Sequence, residues 1–132
     1  MKTSYLFGIG AAAALVVGSV AWNALQENAA SAPAPPTLDQ IAFAETATPS
    51  DAELAAVYDR SCRACHALDG GGAPLTGHAA DWRARAEERG GLRALTVSAI
   101  EGYENMPGMG LCNDCSEGQI VDLIEFMIGE EL

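Results

Sequence analysis

Cys62, Cys65 and His66 stand in Cys62-Arg63-Ala64-Cys65-His66, two thiols three residues apart with an imidazole directly after the second. Three residues is close to one helical turn, so both sulfurs fall on a common face. From there they can form thioethers with the two vinyl groups of a porphyrin, and the imidazole can bind its iron as proximal ligand. The pattern implies one covalent haem c. Two other chemistries compete for these residues. Cys62, Cys65, Cys112 and Cys115 form two CxxC pairs, the donor set of a four-thiolate zinc site, but 46 residues separate the pairs, longer than zinc ribbons use. A thioredoxin-like dithiol expects a βαβ setting, and no alternating strand pattern is found.

A six-coordinate iron needs a second axial ligand. Met106 and Met109 lie in Asn105-Met106-Pro107-Gly108-Met109-Gly110, where proline and glycines hold an irregular backbone able to aim one side chain. Met127 falls on an apolar helical stripe and reads as core. His78 follows the attachment site too soon to reach the opposite haem face easily. Met106 is the expected ligand and Met109 its alternative.

These residues must be positioned by helices. Thr48-Pro49-Ser50-Asp51 opens one, with capping-box spacing at Thr48 and Asp51 and again at Ser50 and Glu53; its face of Leu54, Val57, Tyr58 and Ser61 runs into Cys62. Three consecutive glycines, Gly70 to Gly72, begin a loop. A second helix is expected over residues 79–89, ended by Gly90-Gly91, and a third from Leu92 to Gly102. Ser116 and Gln119 have capping-box spacing ahead of Ile120, Leu123, Ile124 and Met127, an i, i+3, i+4, i+7 stripe. The fold class is all-α, about four helices around one haem.

With these motifs in place, the stretch from Leu54 to Met127 resembles the class I c-type cytochromes, in particular the bacterial cytochrome c-five branch. The resemblance rests on CRACH, on GGGAPLTG after it, on Trp82 in the middle helix and on MPGMGLCNDCS before the last. It implies Met106, the methionine before proline, as sixth ligand. It implies the carbonyl of Pro74 as acceptor for the second nitrogen of His66, a bond that orients the ring and raises its basicity. It also implies a disulfide between Cys112 and Cys115, worth roughly 2 kcal/mol for so short a loop by chain-entropy bookkeeping. Where the family commonly has a second proline and a basic residue after the ligand, this chain has Gly108-Met109, which keeps Met109 as the alternative.

The chain's 132 residues divide by composition. Residues 1–26 contain an uncharged apolar run at 5–22, expected as an export signal or, given its length, an N-terminal apolar membrane-anchor helix. Residues 27–47 form an Ala/Pro-rich linker, and 48–132 the cytochrome domain. A domain under a hundred residues buries a modest core and benefits from a large apolar cofactor. From residue 38 onward six arginines face seventeen acidic residues, and the sole lysine is Lys2. Such a surface excludes nucleic acid and any lysine-built docking site, and suits a basic partner patch or a salty habitat.

The function implied is that of a monohaem one-electron carrier, not an enzyme, working in a respiratory or photosynthetic chain. Its place is the periplasmic side of the inner membrane, tethered there or soluble after signal cleavage. Its partners are redox proteins, with no small-molecule substrate. The rival readings are a cytochrome subunit of a larger membrane oxidoreductase complex, and a haem peroxidase or gas sensor. The last lacks a distal acid/base histidine other than His78.

Overall fold

The structure, a computed structural model, describes residues 33–129. The apolar run at residues 5–22, with the signal or anchor helix expected there, lies outside the described residues, and among those described no helix is long and apolar enough to cross a membrane. The described residues form helices α1 (Leu38–Thr46), α2 (Ala52–Arg60), α3 (Arg63–His66), α4 (Ala79–Arg89) and α5 (Leu92–Glu101). A 3-10 turn (Gly108–Leu111) and α6 (Glu117–Ile128) follow. The all-α class stands, with six helices among the described residues where about four were expected.

The two additions have local causes. α1 falls inside the stretch assigned to the linker through residue 47. It contains neither proline nor glycine, and Thr37 caps it: the Thr37 hydroxyl accepts from the Gln40 amide at 3.3 Å, while Gln40 accepts from the Thr37 amide at 2.8 Å. Nine residues make a marginal helix alone, so burial of Ala44 and Ala47 must help hold it. α3 exists because α2 does not run through to Cys62. The chain leaves helical geometry at Ser61 (φ −129°, ψ −68°) and starts a new turn that carries both thiols and the imidazole.

The other helix boundaries fall where their caps put them. Asp51 accepts from the Leu54 amide at 2.8 Å, Gly90 ends α4 in the left-handed region (φ 104°), and Ser116 with Gln119 completes a capping box on α6. The stripe of α6 is the spine of the core: Ile120, Leu123, Ile124 and Met127 are all buried, together with Ile128. α6 packs against α5 and α2, and each such side chain contributes roughly 1.5–3 kcal/mol by leaving water.

Tyr58 of α2 joins this core to the loop that follows α3. Its ring meets Phe126 edge-on (centroids 5.1 Å, planes at 79°) and its hydroxyl lies 2.9 Å from that of Thr76, both residues being fully buried. Tyr58→Phe strands the Thr76 hydroxyl without its partner. The expected cost is about 1–3 kcal/mol, read as a lowered denaturant midpoint with unchanged slope.

Candidate haem-binding site

α3 presents the motif with its two sulfurs in different settings. Cys62 is buried and its thiol is pushed up from its ordinary pKa by that burial, whereas Cys65 is exposed; neither is bonded to another cysteine. His66 is buried, 5 % exposed. Its Nδ1 donates to the Pro74 carbonyl at 2.8 Å, the contact expected from the motif's resemblance. With the proton on Nδ1, the lone pair of the ring is on Nε2. Burial lowers the pKa of His66 by more than the bond to Pro74 raises it, and the nearby Arg85 guanidinium adds to the lowering, so the ring is kept neutral, the form that binds a metal.

The loop after α3 is anchored at four places. Arg85 donates to the Gly72 carbonyl at 3.1 Å, the Trp82 indole N–H to the Leu75 carbonyl at 3.0 Å, the Thr76 amide back to the His66 carbonyl at 2.8 Å, and the Gly77 amide to the Met127 carbonyl at 2.7 Å. Trp82 also stacks on the imidazole, centroids 5.5 Å apart and planes at 22°. Sequence reasoning named Trp82 only as a family resemblance and missed the Tyr58–Thr76 bond. The signal available was that a buried indole N–H or phenol seeks an acceptor. His78 is buried and precedes α4, where its carbonyl accepts the Asp81 and Trp82 amides at 3.0 and 3.4 Å.

Met106 and Met109 sit in the 102–112 loop, and both pack against the same core cluster as Cys62 and Trp82. A pair of backbone bonds, Tyr103 amide to Met106 carbonyl (3.0 Å) and Met106 amide to Tyr103 carbonyl (2.8 Å), pins Met106 in a tight turn. Gly102 (φ 88°) permits that turn, because a Cβ there would come within 3.0 Å of the Gly108 nitrogen and 3.1 Å of the Met106 carbonyl. Met109 itself takes a left-handed φ of 59° and Leu111 one of 70°. Cys112 and Cys115 are bonded to each other, Cα atoms 5.4 Å apart. Two of the four thiolates that a zinc site would need are thus tied in a disulfide, and the four-thiolate zinc reading is not formed. Arg60, at the end of α2, grips Asp114 between those cysteines through two bonds of 2.9 and 3.0 Å and holds its carboxyl below the usual range.

The donor set fits a covalent haem: two unbonded thiols three apart, a neutral imidazole locked through one nitrogen, and two thioethers on a nearby loop. An open groove of about 1070 Å³ on the α4–α6 flank, between Arg83, Glu87 and Phe126, shares none of these residues. Trp82→Phe keeps a ring on His66 but removes the bond to Leu75. A loss of about 1 kcal/mol is expected from a denaturation curve of the haem-loaded protein.

Residues 49–127 match the family described as cytochrome c oxidase, cbb3-type, subunit III. The chain is also 40 % identical over 73 residues to cytochrome c5 of Ectopseudomonas mendocina, covering 55 % of this chain and 84 % of that protein. With cytochrome c5 of Azotobacter vinelandii the identity is 37 % over 73 residues, covering 55 % and 88 %. No solved structure gives a significant match. The matched span opens three residues before α2 and closes within α6, taking in the thiols, the imidazole loop and the methionine turn. The chain thus belongs to this family of class I c-type cytochromes, on the cytochrome c5 branch, and its cofactor is a covalently attached haem c.

Proposed function

We propose that the protein is an exported one-electron carrier in which Cys62 and Cys65 anchor the haem and His66 and Met106 ligate its iron, with Met109 as the alternative to Met106. The observation that carries this reading is the bond from His66 Nδ1 to the Pro74 carbonyl, which leaves the Nε2 lone pair for iron beside two unbonded thiols. The haem supplies the reversible change between ferric and ferrous iron, and no substrate bond is made or broken. His66 is held neutral and oriented. The methionine, from a turn pinned by two backbone bonds, closes the sixth position to small molecules and raises the potential relative to a second histidine. The Cys112–Cys115 bridge stiffens the chain that carries this methionine. Met106→Ala is expected to abolish the thioether-to-iron charge-transfer band in the ferric optical spectrum. Survival of the band in that variant transfers the role to Met109.

Acidic residues outnumber basic ones, and arginines are engaged inside the domain, Arg60 with Asp114, Arg63 with Asp59, Arg85 with Asp81 and Arg89 with Ser98 among them. A redox partner with a basic face is the complement of such a surface. The domain works on the periplasmic side of the inner membrane, and the apolar run at residues 5–22, followed by a proline-rich spacer, tethers it there. The description of the matched family favours a second reading, a haem subunit of a membrane oxidase complex. For the tether, extraction from membranes should require detergent and the intact mass should retain Met1. A mature chain beginning at Trp22 means cleavage and a soluble carrier.

A further inference from the structure

Helix α1 precedes the family-matched residues 49–127, yet two contacts fasten it to the haem motif and to the loop that follows it. The first is Arg63, the residue between the two cysteines. Its guanidinium donates to the carbonyls of Glu45 (3.0 Å) and Ala47 (2.6 Å) at the C-terminal end of α1, where a helix leaves carbonyls unpartnered. The same group donates to Asp59 at 2.6 Å and lies 4.8 Å over the Tyr58 ring, so its position is set from α2 as well. The second contact is Phe43, whose ring lies on the backbone of Gly77 so closely that a Cβ there would stand 2.5 Å from it. Gly77, at φ 81°, closes the loop whose Pro74 carbonyl holds His66 and whose Thr76 amide bonds the His66 carbonyl.

We infer that α1 is a proximal strap, and that Phe43 and Arg63 are positioning residues that keep the 74–77 loop closed on His66. Arg63 ties the strap to the turn that carries Cys65 and His66, while Phe43 presses it on the far end of the loop, so neither can open without the other. Arginine suits the task because its planar fork reaches two carbonyls at once, which a lysine ammonium cannot do in the same geometry. This inference rests on His66 being the proximal ligand.

The test is amide hydrogen exchange, followed by NMR, in the haem-loaded full chain and in Phe43→Ala, Arg63→Lys and the double variant. Exchange at Thr76 and Gly77 should quicken at least tenfold in each single variant, with the amides of Leu123 and Ile124 in α6 unchanged. The double variant should exceed the larger single effect by little, since both act through one element. Phe43→Leu, which keeps an apolar cover on Gly77, should restore most of the protection. Unchanged exchange at Thr76 and Gly77, or an equal rise there and in α6, overturns the strap and leaves α1 as a general contribution to stability. The ligand assignment is read separately, from the hyperfine shift of the His66 ring resonances in the ferric protein. Its loss would leave the amide result standing.

Discussion

The hydrogen bond between His66 Nδ1 and the Pro74 carbonyl is the constraint on which the site depends. An imidazole has two nitrogens and one proton when neutral, so fixing the proton on one of them selects the other for the metal. That choice needs a carbonyl that does not move, and the loop supplying it is held at Gly72, Leu75, Thr76 and Gly77 by partners in α4, α3 and α6. Burial of the ring opposes its protonation and outweighs the Pro74 bond, which by itself would raise the pKa, so the ring stays neutral while the bond fixes which nitrogen carries the proton. The core of the domain and the tautomer of this imidazole are thus one problem. Tyr58 packs on Phe126 of α6 and reaches Thr76, so the helix packing and the loop geometry share an atom contact.

The methionine side is built differently. There the backbone is forced into uncommon geometry, with Glu104, Met109 and Leu111 at positive φ and glycines where the chain passes close to itself. Such a loop keeps its shape only if its ends are fixed. One end leaves α5 at Gly102, and the other runs into the Cys112–Cys115 bridge, gripped by Arg60 from the end of α2. The ion pair is exposed and adds little energy, but two parallel bonds give it direction. Both loops are therefore tied to the chain on either side of Cys62, one through Arg60 at the end of α2 and the other through His66 in α3.

Much of this was legible in the residues. Cysteine spacing, the adjacent histidine and the apolar stripe of α6 are local patterns with one dominant physical reading each, and they located the motif, the last helix and the all-α class. The Ser116 capping box and the Gly90 stop lay at their expected places because a cap is decided within four residues. α1 was not legible. Its nine residues carry no strong apolar period, a proline-rich run precedes them, and the carbonyls at its end are satisfied by an arginine sixteen and eighteen positions away. The break at Ser61 was hidden for a related reason, since the helical period continues through it.

Residue types and their spacing dictate the chemistry: two thiols and an imidazole at a spacing that only a covalent haem uses well, an acidic domain with no lysine after Lys2, and a methionine-bearing loop. Tertiary structure decided how that chemistry is held. It put Trp82 against the His66 ring and the Leu75 carbonyl, and fastened α1 to the loop at Gly77 through Phe43 and to α3 through Arg63. The physical reason is range. Donor types and periodicity are properties of a few neighbouring residues, whereas the partner of a buried N–H or of an open helix end is whichever group the packed chain brings within about 3 Å.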